Sequence, residues 1–177
     1  MSYFIHSLTL SRILLGPIIF GLILSDKSEL AFILFCFASL SDYFDGFLAR
    51  KYHLESTLGE VLDPIADKIL VVFISMAIAL QLQSFYVGFL SCILLSREFW
   101  VSALRDLNAR NHRQEATKVT FLAKIKTAIQ LFALSLYLIS FIFHSSFLLF
   151  IAHIHLFLAL IITIHTGLSY TIASFKK

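Results

Sequence analysis

The chain has few charged residues, and this shortage excludes an ordinary soluble domain. Only 14% of its 177 residues are Asp, Glu, Lys or Arg, whereas soluble domains carry about 25%. It also contains only two prolines and six glycines, and no stretch of them forms a flexible linker. Internal repeats and low-complexity tracts are absent as well. We therefore expect one membrane domain over residues 1–177.

Cysteine and histidine are too few or too scattered to supply a disulfide framework or a zinc site. Cys36 and Cys92 each lie in the middle of an apolar stretch, where a cysteine packs as a small apolar residue. His153, His155 and His165 are not spaced four residues apart, so they do not form a ligand pair on one helix face. Any metal chemistry is expected to use carboxylates instead.

Long apolar stretches dominate the chain, in which 59% of residues are hydrophobic and 19 are Phe. About 20 consecutive apolar residues suffice for a helix to cross a bilayer. The sequence therefore predicts an all-α polytopic membrane protein with six transmembrane helices. The predicted spans cover residues 8–24, 30–48, 64–82, 85–104, 119–143 and 147–173, with Asp63 and Pro64 as the N-cap and first residue of the third helix.

Lysine and arginine concentrate on one side of these predicted spans. That side holds Arg50, Lys51, Arg105, Arg110, Arg113, Lys118, Lys176 and Lys177. The opposite connections contain only Lys27. Because positive residues stay in the cytoplasm, both termini are predicted to be cytoplasmic, in the inner membrane of the cell. The positive surface suits anionic membrane lipids and phosphate substrates, and nothing in it indicates nucleic acid.

Four carboxylates stand out because they lie at the ends of apolar stretches: Asp42, Asp45, Asp63 and Asp67. A charged group inside a bilayer is costly and by default functional. Residues three or four apart share a helix face, so each of two helices offers two carboxylates to one place. Such a group suits divalent metal, and the oxygen ligands favour Mg²⁺ or Mn²⁺ in a two-metal site. All four lie on the predicted cytoplasmic side.

These carboxylates belong to the pattern D-x2-D-G-x2-A-R-x8-G-x3-D-x3-D. It resembles the signature of the CDP-alcohol phosphatidyltransferases at every fixed position, which are Asp42, Asp45, Gly46, Ala49, Arg50, Gly59, Asp63 and Asp67. The resemblance implies an integral membrane enzyme that uses divalent metal while an alcohol displaces CMP from a CDP-linked substrate. It assigns the four aspartates to the metals. It also makes Asp67 the base that removes the proton of the attacking hydroxyl.

The other residues of the signature are implied to bind the CDP group. The resemblance assigns the small residues Gly46, Ala49 and Gly59 to the cytidine, although small residues also serve close helix packing in membranes. Arg50 would pair with a diphosphate oxygen or steady the aspartates.

The N-terminal stretch resembles the family less closely. Family members often carry I-P-N-x-L-T-x-x-R there. This chain keeps the threonine and arginine as Thr9 and Arg12, which are further candidates for CDP binding. Ile5 and His6 replace the proline and asparagine.

Residues 62–71, 97–105 and 123–130 resemble the branch of the family that makes phosphatidylglycerophosphate. That branch joins CDP-diacylglycerol to sn-glycerol 3-phosphate and releases CMP. A phosphorylated acceptor carries about two negative charges, so its pocket needs several cations. The candidates for binding the acceptor phosphate are Arg97, Arg105, Lys124 and Lys126.

Each of these cations has a simpler interpretation, because Lys and Arg near span ends often extend to lipid headgroups. Arg97 lies deeper than the others, two turns before Arg105, and Glu98 beside it is a candidate structural partner. Lys124 and Lys126 are two residues apart, so only one of them is expected to point into the pocket.

The sequence leaves two other functions open. A cardiolipin synthase of the same superfamily would use phosphatidylglycerol as acceptor and would prefer a more apolar pocket. A divalent-cation transporter would line a route across the membrane with carboxylates, whereas these four lie on one side. A homodimer also stays open.

Overall fold

The computed structural model describes the backbone of residues 2–52, 57–118 and 120–176, and the side chains of residues 11–41, 65–113, 115–118 and 120–176. Its α-helices are α1 (Ser2–Leu24), α2 (Ser28–Tyr52), α3 (Thr57–Gln81), α4 (Phe85–Arg110), α5 (Phe121–Phe143) and α6 (Ser146–Phe175). A short 3₁₀ helix, Gln114–Thr117, lies between α4 and α5. No strand occurs in these ranges, and the predicted all-α class is confirmed.

Three short turns join the helices in antiparallel pairs: α1 with α2, α3 with α4, and α5 with α6. Each turn contains one residue with positive φ, namely Asp26 at 57°, Gln83 at 47° and His144 at 46°. Residues with this left-handed backbone commonly end helices. Ser84 then caps the next helix by accepting a hydrogen bond from the backbone N–H of Val87. These turns define one end of the bundle, called here the turn end.

The helices close into a ring in which each packs mainly against two neighbours, and a smaller contact joins α3 to α5 across it. The order around the ring is α1, α2, α5, α6, α4 and α3, and α3 returns to α1. All six helices contribute to one apolar core, whose fully buried members include Ile19, Ala31, Phe35, Ile74, Val87, Tyr137, Leu138 and Leu156. This core fills the part of the bundle nearer the turn end.

Large apolar side chains also cover the outside of the bundle, as Ile33, Phe37, Phe150 and Ile172 do. Such a surface would promote aggregation in water and suits lipid. Within the described ranges, three helices are long and apolar enough to cross a membrane, namely α4, α5 and α6. The described parts of α1 and α2 add shorter apolar helices, Ser11–Leu24 and Ser28–Ser41.

The predicted start of the third helix is wrong. α3 begins at Thr57, so Asp63 and Pro64 lie inside it and Asp63 is not its N-cap. Proline lacks one backbone donor, but membrane helices tolerate it where neighbouring groups compensate. The predicted end of α4 at residue 104 is also too early. The helix continues to Arg110 because residues 105–110 include two arginines, a leucine and an alanine, which are good helix formers.

The end opposite the turn end, called here the polar end, holds the starts of α1, α3 and α5 and the ends of α2, α4 and α6. Polar contacts between helices concentrate in the half of the bundle next to it. They connect α1 to α3, α3 to α4, α4 to α5 and α4 to α6. The candidate site lies there.

Candidate active site

The helices carry all residues of the signature to the polar end. The C-terminal half of α2 and the N-terminal half of α3 contain them, and α1 packs against both helices. Several of the predicted side chains lie outside the described ones, namely Thr9, Asp42, Asp45, Gly46, Ala49, Arg50, Gly59 and Asp63. The convergence of the four aspartates therefore stays a prediction, and the geometry available concerns Asp67 and its surroundings.

Arg12 of α1 and Asp67 of α3 form an ion pair. The Nη1 atom of Arg12 lies 2.5 Å from Oδ1 of Asp67. The arginine side chain is fully buried, whereas the aspartate side chain is 48% exposed. A charge-assisted hydrogen bond of this kind fixes the orientation of the carboxylate. Arg12, predicted to bind CDP, thus contacts the predicted base directly.

A glycine on α1 allows this contact. Gly16 lies one turn after Arg12, on the same face of the helix. A Cβ atom at Gly16 would stand 3.2 Å from Cδ2 of Phe73 and 3.6 Å from Cα of Leu70. The absence of a side chain therefore lets α1 and α3 approach closely where Arg12 reaches α3. The signal in the sequence is a glycine four residues after an arginine in an otherwise bulky apolar helix.

Two of the predicted acceptor cations meet at Glu98. Its Oε1 atom accepts hydrogen bonds from Nη1 of Arg97, at 3.1 Å, and from Nζ of Lys126. The side chains of Arg97 and Lys126 are only 10% and 5% exposed. The structure thus pairs Glu98 with Arg97, as expected, and adds Lys126 of α5 to the same carboxylate. The cluster keeps a net positive charge.

The other two predicted acceptor cations, Arg105 and Lys124, lie on the surface. The guanidinium carbon atoms of Arg97 and Arg105 lie 5.8 and 5.9 Å from the centre of the Tyr170 ring, so one aromatic side chain of α6 touches both. Of the two lysines on α5, Lys126 is buried and Lys124 exposed. This agrees with the expectation that only one of them points inward.

Sequence reasoning did not single out Lys68, which follows Asp67 directly on α3. Its ammonium group donates a hydrogen bond to Oγ of Ser102 on α4. Asp67, Glu98 and Arg105 all lie close enough to act on it electrostatically. Lys68 therefore connects the predicted base with the cation cluster. A lysine in an apolar helix, next to a functional carboxylate, was the signal available.

Comparison with known proteins identifies the family. The family model described as CDP-alcohol phosphatidyltransferase matches residues 6–165, and this range includes the whole signature from Asp42 to Asp67. The chain belongs to the CDP-alcohol phosphatidyltransferase family. The resemblance carried by the signature is thus confirmed, and the chain is a phosphatidyltransferase.

Curated relatives of this phosphatidyltransferase carry the name CDP-diacylglycerol–glycerol-3-phosphate 3-phosphatidyltransferase. The relative from Rickettsia typhi is 39% identical over 170 residues, which cover 92% of this chain and 92% of the relative. The relative from Wigglesworthia glossinidia brevipalpis is 39% identical over 130 residues, 72% of this chain and 71% of the relative. The Salmonella typhimurium relative is 34% identical over 131 residues, 72% of each.

The carboxylate oxygens predicted as metal ligands in this phosphatidyltransferase suit the divalent metal that its family generally uses. All four predicted ligands are carboxylates on α2 and α3 near the polar end. The one described ligand, Asp67, is half-exposed and lies in the N-terminal half of α3. Oxygen ligands favour Mg²⁺ or Mn²⁺ over zinc. Among the side chains that the structure describes, no group of three His, Cys, Asp or Glu residues forms another candidate metal site.

Proposed function

We propose that this chain transfers the phosphatidyl group of CDP-diacylglycerol to sn-glycerol 3-phosphate, which gives phosphatidylglycerophosphate and CMP. Its family and the names of its relatives support this reaction. The structural observation that carries the proposal is the group of cations near Asp67: Arg97 and Lys126 share the carboxylate of Glu98. Lys68 lies within electrostatic range of Asp67, Glu98 and Arg105. The excess of positive charge in this group suits an acceptor that carries about two negative charges.

Asp67 is the base in the proposed mechanism. Its carboxylate, oriented by Arg12, takes the proton of the glycerol 1-hydroxyl while that oxygen attacks the β-phosphorus of CDP-diacylglycerol. The new phosphorus–oxygen bond forms as the bond to the CMP phosphate breaks, and CMP leaves with the electron pair. Cations of the cluster hold the acceptor phosphate so that the hydroxyl faces the diphosphate.

The remaining signature residues hold the donor. Asp42, Asp45, Asp63 and Asp67 would bind Mg²⁺ or Mn²⁺, which supplies positive charge to neutralise the diphosphate and the departing CMP. The cytidine would lie against Gly46, Ala49 and Gly59. Thr9, Arg12 and Arg50 would lie near the diphosphate.

We further propose six membrane spans in the inner membrane, with the polar end in the cytoplasm. Lysine and arginine support this orientation: the cations of the cluster lie near the polar end, as do Arg110, Arg113 and Lys118, whereas the turn end has only Lys27. The soluble acceptor would enter from the cytoplasm. The acyl chains of the donor would stay in the bilayer beside the apolar outer surface.

The test is CMP release by the purified protein in detergent, with CDP-diacylglycerol and one acceptor at a time. We expect fastest release with sn-glycerol 3-phosphate, loss of activity with a metal chelator, and recovery with Mg²⁺ or Mn²⁺. Faster release with phosphatidylglycerol would indicate a cardiolipin synthase instead. Preference for inositol or serine would indicate another acceptor. Metal uptake into proteoliposomes, without CMP release in any assay, would support a transporter.

A further inference from the structure

A glycine of α6 lies against the side chain of Arg97. A Cβ atom at Gly167 would stand 3.1 Å from Cγ and 3.2 Å from Nε of Arg97. These distances are tighter than an ordinary carbon contact, so a larger residue would force the arginine side chain to shift by a few tenths of an ångström. No glycine in the described ranges has a positive φ, which means that backbone conformation does not require glycine here. Because glycine costs a helix about 1 kcal/mol relative to alanine, the space for Arg97 is what it provides.

The guanidinium of Arg97 is held from several sides. Its Nε donates to the backbone oxygen of Thr163 at 3.0 Å, and its Nη2 donates to Oγ1 of Thr166 at 2.6 Å. Nη1 donates to Glu98 at 3.1 Å. A guanidinium has five N–H donors, so these contacts with described residues leave two for an anion. The side chain is thus fixed in place yet still able to bind a ligand.

Glu98 fixes a second cation at the same time. One carboxylate oxygen accepts from both Arg97 and Lys126, so the two positive groups have a set separation. Glu98 also neutralises one of the two positive charges of Arg97 and Lys126, which would otherwise repel each other. The pair is mostly buried, where an unpaired charge is costly.

We propose that Gly167 and Glu98 are positioning residues that determine specificity for a phosphorylated acceptor. Gly167 provides the space and Glu98 the charge that hold Arg97 in the orientation that binds the acceptor phosphate. Neither residue belongs to the signature on α2 and α3. The inference rests on the proposed function, and it assigns α6 a part in acceptor recognition.

The test compares Gly167→Ala with two control variants. A Cβ atom at Gly21 would meet no heavy atom within 4 Å, and one at Gly88 would make an ordinary contact of 3.7 Å with Ala79. All three substitutions favour the helix equally, but only Gly167→Ala displaces Arg97. We expect Gly167→Ala to raise the KM for sn-glycerol 3-phosphate about tenfold, the equivalent of about 1.4 kcal/mol. The KM for CDP-diacylglycerol should stay unchanged, and both controls should behave like the wild type.

Glu98 offers an independent variant pair. Glu98→Gln keeps the size of the side chain and removes its charge, whereas Glu98→Asp keeps the charge. The acceptor KM should rise in Glu98→Gln and recover in part in Glu98→Asp. If Glu98→Gln does not fold, the Gly167 series still decides the question. An unchanged acceptor KM in Gly167→Ala, or equal increases for acceptor and CDP-lipid, would overturn the inference.

A binding measurement separates this inference from the proposed function. The wild type alone tests the function, because absence of CMP release with sn-glycerol 3-phosphate would reject it. The shift in thermal unfolding temperature caused by sn-glycerol 3-phosphate or inorganic phosphate, without CDP-lipid, tests the positioning role. That shift should be smaller in Gly167→Ala than in Gly21→Ala. Equal shifts would contradict the positioning role even if the wild type is active.

Discussion

The ion pair between Arg12 and Asp67 shows how one residue orients another in this site. A fully buried arginine donates to a half-exposed carboxylate at 2.5 Å, and Gly16 on the same helix face brings the two helices close enough for this contact. The ion pair with the buried arginine orients the carboxylate of Asp67. Substitution of Asp67 should therefore affect the rate of the chemical step more than the binding of CDP-diacylglycerol.

We predict that Asp67→Asn lowers kcat at least about a hundredfold, because a general base contributes about 10²–10⁴ to the rate. Asparagine keeps the size of the side chain but does not take up the proton, so binding of CDP-diacylglycerol should be largely retained. Asp26→Asn is the matched control, since Asp26 lies at the turn end and accepts from Gln81. Steady-state kinetics and CDP-lipid binding measure both effects. Turnover above a tenth of the wild-type rate would remove Asp67 as the base.

At the level of the helices, the exclusion of water from apolar side chains is not what holds this bundle together. Lipid is as apolar as leucine, so helices associate through close contacts between side chains. Leu156 of α6 is 1% exposed in the core, whereas Leu158, two residues later, is 43% exposed on the outer surface. The same substitution at the two positions thus isolates the packing contribution.

Leu156→Ala should lower the free energy of unfolding by about 2 kcal/mol, near the low end of the range for buried leucines, because the cavity contributes and transfer from water does not. Leu158→Ala should have little effect, since lipid fills the space that it leaves. Thermal unfolding in detergent compares the two variants. Equal destabilisation would mean that the ring of helices is not the packed core described above.

Apolar length was sufficient to predict the number of α-helices in the described ranges and most of their limits. The prediction failed at Asp63 and Pro64, where an apparent helix start lies inside α3, because a proline signal does not reveal how neighbouring helices compensate for the lost hydrogen bond. The order of helices around the ring also lay beyond the sequence, since it depends on contacts between distant residues.

Part of the candidate site could likewise be predicted from the sequence, and part of it could not. A local pattern on α2 and α3 was sufficient to predict the family, whereas the role of Asp67 as the base stays a prediction. The shared role of Glu98 between Arg97 and Lys126, and the space that Gly167 leaves, involve α4, α5 and α6. No spacing along one helix encodes such contacts. Lys68 was not predicted as a site residue because the neighbouring Asp67 already accounted for this part of the sequence.

At the scale of the whole molecule, the distribution of charge predicts the orientation in the membrane. Ser25 lies in the turn between α1 and α2, and Asn111 follows α4 at the polar end; both are exposed. In a background with Cys36 and Cys92 replaced by serine, we expect Ser25→Cys to react with a membrane-impermeant maleimide in intact cells. Asn111→Cys should react only after the membrane is permeabilised. The reverse pattern would place the polar end outside the cell.

We propose that the cations near the polar end present a phosphorylated alcohol to Asp67 for phosphatidyl transfer. This proposal can be tested by incubating the purified protein with CDP-diacylglycerol, Mg²⁺ or Mn²⁺, and isotopically labelled sn-glycerol 3-phosphate. We expect label to enter the organic phase as phosphatidylglycerophosphate, with one CMP released for each labelled lipid, and we expect Asp67→Asn to form almost none. Release of CMP without label in lipid, or labelled lipid formed equally well by Asp67→Asn, would overturn the proposal.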